Sequence, residues 1–213
     1  MHVQDADRSN WMWIFGYGSL MWDGWESEFV CRERAMATLS GYRRAFNKLS
    51  VANWGTKEAP CPTLNLQADR EASCQGMAFA FELSDKDAVL ARLNKREGKS
   101  FALTALSVRL GDGMQVEAYA PLYNGRNLRS DLKLDDQVRM VLAARGTSGS
   151  GIDYVKGIAE SLEALGIDDP AVRSLRDALD HAAHGGSAQT GRGQRWRSLW
   201  WVGQSAAVWR EAR

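Results

Sequence analysis

The sequence predicts an α+β fold: a small, mostly antiparallel barrel or sheet of about six strands with helices packed outside it. Three features of the chain lead there. Apolar or alternating runs short enough for strands crowd the first 122 residues. Their links are mostly short or turn-like, which favours antiparallel neighbours, because a parallel crossover needs a dozen residues or more. Apolar residues at helical spacing fall mostly after residue 134.

In chain order, "WMWIFG" at 11–16 is a short apolar run that reads as a buried strand, and 37–46 alternates as a second. "VANWGTKEAPCP" is loop by its Gly and Pro. Strand-like runs follow at 62–67, 76–83 and 102–110, and Gly111-Asp112-Gly113 turns the last of these back into 114–122. Between them Ser84 and Asp87 resemble a capping box ahead of a stripe of Val89, Leu90 and Leu93, a helix ending near Lys95. A second helix is expected over 135–145, stopped by Gly146, and a third carries Ile152, Val155, Ile158, Leu162 and Leu165. The fourth has Asp169 as its N-cap and Pro170 in its first turn.

With 27 basic and 26 acidic residues in 213, the net charge of +1 gives no global attraction to nucleic acid or anionic lipid. Cys31, Cys61 and Cys74 are odd in number, lack CxxC spacing and have no clustered histidines, which argues against a disulfide framework or a zinc site. The opening "MHVQDADRSN" is polar, and no apolar run approaches the ~18 residues of a membrane span. The expectation is a cytoplasmic protein in three parts: a disordered segment at 1–10, a domain at 11–184, and a flexible linker with a basic, Trp-rich tail at 185–213. Arginine interleaved with tryptophan suits a membrane surface or single-stranded nucleic acid. Docking of Trp196 and Trp200 on the domain or on a second subunit, giving an oligomer through the tail, is the simpler expectation.

Chemistry concentrates at Gly16-Tyr17-Gly18-Ser19, just after the first strand. Glycine tolerates the dihedrals that turn successive N–H groups toward one point, and such a nest holds a carboxylate or a developing oxyanion. By spacing alone a tight turn is the commoner meaning. The stretch lacks both the third glycine of a dinucleotide fingerprint and the Gly-Lys-Ser of a P-loop.

The longer stretch "WIFGYGSLMW" at 13–22 resembles the N-terminal signature of the ChaC-type γ-glutamylcyclotransferases. Further features match in that family's order: "GYRRAF" at 41–46, Gly55-Thr56 with Pro62-Thr63-Leu64, "LNKREG" at 93–98, and "GTSGSG" at 146–151 followed by Tyr154. The resemblance implies a γ-glutamylcyclotransferase-like fold and an enzyme without cofactor or metal. In the implied reaction the donor's own α-amine attacks its γ-glutamyl carbonyl, releasing 5-oxoproline. With glutathione as the donor, the other product is cysteinylglycine. It also implies Glu97 as the catalytic acid/base. Ile14, Phe15, Gly16, Tyr17, Gly18, Ser19 and Leu20 would form the substrate-binding loop, and Tyr119 would line the cavity. γ-Glutamyl amino acids or amines remain alternative donors, and a non-catalytic γ-glutamyl-binding module is the alternative of another class.

The implied chemistry is physically consistent. Ring closure is already unimolecular, so positioning is the main task, and one carboxyl can take a proton from the attacking amine and return it to the leaving nitrogen. Phe101 stands where relatives usually have tyrosine, so a phenolic hydroxyl is lacking there. Arg43 and Arg44 point to opposite faces of their strand, each with a salt bridge as its default role. Arg96, beside Glu97, is expected to have a structural partner. His181 and His184 are one helical turn apart but read as polar residues of a helix end, and Cys61 reads as a buried thiol.

Overall fold

The computed structural model describes residues 8–185. Residues 1–7 and 186–213 lie outside the described residues, and with them most of the expected N-terminal segment 1–10 and of the linker and tail at 185–213. The last residues of that first segment, Arg8–Asn10, form a 3₁₀ turn in which Arg8 pairs with Glu33 (2.6 Å) and Asp112 (2.5 Å).

Five strands close into a barrel: β1 (Trp11–Gly16), β2 (Glu33–Ser50), β3 (Cys61–Glu82), β4 (Phe101–Leu110) and β5 (Gln115–Tyr123), in the order β1-β3-β2-β4-β5. Neighbours are antiparallel except β1 and β5, which close the barrel in parallel. The run "WMWIFG" is apolar throughout because both of its faces are covered. Trp13 and Phe15 point into the barrel, while Met12 and Ile14 point outward beneath the helices. Small residues on facing strands, among them Ala37, Ala78, Ala80, Ala118 and Ala120, make room inside for the two large rings. Gly76 serves the same packing, since a Cβ there would strike the Gly16 carbonyl and the Phe15 ring.

The barrel holds five strands, beside the expectation of about six strand-like runs. The runs at 62–67 and 76–83 belong to one strand of 22 residues, because Ala68 and Ser73, Cys74 and Gln75 of the stretch between them stay paired with β2. Residues 69–72 bulge out of register opposite Gly41, whose φ is +81°, with exposed or half-exposed side chains.

Helix α1 (Lys86–Glu97) follows a 3₁₀ turn and has no side-chain cap, so the expected Ser84/Asp87 box does not form. It also runs two residues past the expected end, placing Arg96 and Glu97 in its last turn, and Gly98 (φ +80°) closes it by donating to the Asn94 carbonyl. α2 (Leu134–Ala143) precedes a two-residue hairpin, β6 (Arg145–Gly146) and β7 (Gly149–Ser150). α3 (Gly151–Ala164) opens with a reciprocal capping box between Ser150 and Asp153, and α4 (Pro170–Gly185) with Asp169, which accepts from the amides of Ala171 and Val172. Val155, Ile158, Leu162 and Leu175 from α3 and α4 share one core with Phe79 and Phe81 of β3. Each such buried side chain contributes about 1.5–3 kcal/mol. No described helix is long and apolar enough to cross a membrane.

Candidate active site

At one end of the barrel a cavity of about 350 Å³ opens between the turn after β1 and the end of α1. Gly16 ends β1 opposite Met77, and the chain then folds into a 3₁₀ turn, Ser19–Met21, with Gly18 as its uncapped N-terminal residue. The leading N–H groups of such a turn have no acceptor within it. Tyr17, Gly18, Ser19 and Leu20 line the cavity together with Glu97.

The turn is fixed from behind by Arg44, which is about 1% exposed. Its guanidinium donates to the Tyr17 carbonyl (2.7 Å) and the Gln75 carbonyl (2.6 Å), and pairs with Asp169, the N-cap of α4, at 3.1 Å. Of the two adjacent arginines only Arg44 turns inward; Arg43 pairs with Asp69 on the surface. Tyr17 is buried and its hydroxyl donates to the Pro121 carbonyl (2.7 Å), so it supports the wall and leaves its phenol already bonded. Burial, reinforced by the Glu97 charge, holds that phenol well above its usual pKa.

Glu97 is reached through Arg96. The guanidinium touches Glu97 Oε1 (2.9 Å), Ser19 Oγ (2.8 Å) and Asp23, tying the carboxylate at the end of α1 to the turn after β1. Opposite them stand Lys48 of β2, Asn53 and Trp54 of the following loop, Thr63 of β3, and Tyr154 of α3. Trp54 and Tyr154 pack at 5.1 Å between ring centroids, and the Tyr154 hydroxyl accepts from the Leu64 amide (2.9 Å). Burial raises the Tyr154 phenol pKa as well. Phe101 lines the cavity edge-on to Tyr123.

Several expected residues are placed elsewhere. Ile14 and Phe15 are fully buried on opposite faces of β1, and a Cβ on Gly16 would lie 3.1 Å from that of Leu20, so these three anchor the turn and are not lining residues. Tyr119 also falls outside the cavity. It shares the outward face of β5 with Pro121, which does line it, but lies one pleat repeat, roughly 7 Å, further along. There it borders a separate cavity of about 260 Å³ under the start of α1, with the Lys86 ammonium 5.1 Å from its ring. Alternation identifies a strand residue's face, not its height along the barrel.

Lys48, Asn53 and Trp54 were not anticipated in the site. The available signal was the lysine in "AFNKLS", a charge inside an otherwise apolar-rich strand. Tyr154 belongs to the quoted late Gly/Ser feature, without an expected role there. Burial pushes the thiols of Cys61 and Cys74 up to about 12 and about 11, so neither is a ready nucleophile. His181 and His184 each set Nδ1 against a carbonyl of their own helix, and among the described residues no cluster of three metal-binding side chains forms.

A turn of backbone amides tied to one carboxylate across a small cavity is the layout of a small-molecule acid–base enzyme. The chain belongs to the family of ChaC-like proteins, whose profile matches residues 12–182. It is 31% identical over 180 residues to γ-glutamylcyclotransferase 2-3 of Arabidopsis thaliana, covering 80% of this chain and 89% of that protein. It is 30% identical over 168 residues to the glutathione-specific γ-glutamylcyclotransferase of Escherichia coli (strain K12), covering 77% and 71%. In fold it is similar to the yeast γ-glutamyl cyclotransferase specific to glutathione, with a TM-score of 0.71 at 16% identity over 80% of this chain and 96% of that one.

Proposed function

We propose that this chain is a γ-glutamylcyclotransferase that converts glutathione to 5-oxoproline and cysteinylglycine, with Glu97 as its acid/base. The observation that carries the reading is the convergence of Glu97 and the Gly18–Leu20 backbone on one cavity. The donor's α-ammonium loses a proton to the Glu97 carboxylate. The freed amine nitrogen attacks the γ-glutamyl carbonyl carbon, forming a five-membered ring and a tetrahedral oxyanion. Collapse of that intermediate breaks the bond to the departing amide nitrogen, which takes the proton back from Glu97; the second proton, shed by the ring nitrogen as the lactam forms, leaves on the released cysteinylglycine amine as its ammonium, so atoms and charge balance without a cofactor. The amides of the turn hold the γ-glutamyl head by its α-carboxylate or stabilise the oxyanion. Enclosure supplies the rest, since a flexible γ-glutamyl chain held bent is already near its ring-closing geometry.

The three cysteines, all free, suit the cytoplasmic setting we propose for it. The test is incubation of purified protein with reduced glutathione and, in parallel, γ-Glu-Ala. The reading expects 5-oxoproline and cysteinylglycine in equal amounts from glutathione. Turnover of γ-Glu-Ala alone would move the assignment to a broader donor class, and binding without turnover of either would leave a γ-glutamyl-binding module.

A further inference from the structure

One cation in the cavity has no anion. Arg96 is held by Asp23 and Glu97, and Arg44 by Asp169, but among the described residues the Lys48 ammonium makes no ion pair. It lies instead over two aromatic faces, 5.0 Å from the Phe101 centroid and 5.7 Å from that of Tyr123, whose rings meet at 5.1 Å. Cation–π attraction compensates part of the lost hydration. The remainder shows in the lysine's pKa, which desolvation lowers and the Glu97 charge only partly restores. A partly dehydrated ammonium on a cavity wall is a receptor waiting for a counter-charge.

Its position selects which one. The γ-glutamyl head belongs between the Gly18–Leu20 turn and Glu97, which Arg96 joins through Ser19. Lys48 stands on the β2 wall, paired across the sheet with Thr63 and outside ion-pair distance of Glu97, on the side toward Phe101. We propose that Lys48 receives a carboxylate on the departing part of the donor, so that the site selects γ-glutamyl peptides bearing that carboxylate over γ-glutamyl amines and esters. The inference rests on the cyclotransferase reading and deepens it. Met at this position would keep the stem packed on the rings and remove only the charge.

The test compares kcat/KM for glutathione and for its glycine ethyl ester, which keeps the γ-glutamyl head, thiol and peptide bond but lacks one carboxylate. The wild type is expected to favour the acid by about 10- to 100-fold, the scale of one charge-assisted contact. In Lys48→Met that preference falls to near one, through a raised KM for the acid, and Lys48→Arg restores most of it. A wild type without preference, or a preference that survives in Lys48→Met, overturns the proposal. The same two ligands titrated onto Glu97→Gln, with and without Lys48→Met, repeat the comparison without chemistry. If the wild type turns over neither donor, the cyclotransferase reading fails and this binding comparison decides Lys48 by itself. Binding of neither ligand sinks both.

Discussion

Arg96 Nε lies 2.9 Å from Glu97 Oε1, and the same guanidinium donates to Ser19 Oγ at 2.8 Å, so one planar side chain ties the carboxylate to the turn after β1. Arg96→Met should therefore lower kcat by about 10- to 100-fold while KM changes less, because misplacement of a reacting group is felt most in the transition state. Arg96→Lys should recover only part of the loss, since a single ammonium cannot hold both partners in a fixed fork. Steady-state kinetics beside a melting curve check this. A full recovery by lysine, or a loss of kcat that merely follows a loss of folded protein, would refute a positioning role.

Arg44 makes a second prediction. It is a buried cation whose removal leaves two carbonyls without this donor and the Asp169 carboxylate without its counter-charge. Arg44→Met is expected to destabilise the fold by about 3 kcal/mol, the scale for breaking one side of a buried pair. Urea unfolding measures it, and a change below about 1 kcal/mol would show that the N-cap of α4 and the Tyr17 turn hold without it.

A third concerns Lys48 and pH. Desolvation lowers its pKa in the folded state, against a Glu97 charge that acts in the opposite sense. The unfolded chain then binds the proton more readily than the folded one, so this lysine costs stability in full below its folded pKa, and the cost vanishes as pH rises to the ordinary lysine value near 10.5. Lys48→Met should therefore be more stable than wild type at neutral pH, with the gain shrinking toward pH 10.5. Melting curves at pH 7 and at pH 10 decide it, and a gain that does not shrink would mean that packing alone is responsible. A charge kept against stability in a cavity wall is the pattern expected of a functional residue.

Much of this was legible in the residues. "WMWIFG" announces a strand covered on both faces, and Asp169-Pro170 announces the start of α4, because both signals are local. The 22-residue length of β3 was not legible, since its polar middle reads as a loop, and residues 69–72 do bulge there while the flanking residues stay paired with β2. Glu97 is expected in the site from family resemblance alone, since nothing local tells a carboxylate in a last helical turn from a solvated one. Tyr119 was misplaced and Lys48 missed for the same reason. Periodicity assigns each a face, but the height of a residue along the barrel depends on register set by partners far away in the chain.

The proposed role of Glu97, moving the proton in a cyclisation of glutathione, is tested most directly by 5-oxoproline release from wild type and Glu97→Gln under identical conditions. Glutamine keeps the size and most hydrogen bonds but cannot accept the ammonium proton. Steady product is expected from the wild type, with a fall on the order of 10²- to 10⁴-fold in the variant and both proteins equally folded. A Glu97→Gln protein that releases 5-oxoproline at the wild-type rate would contradict it.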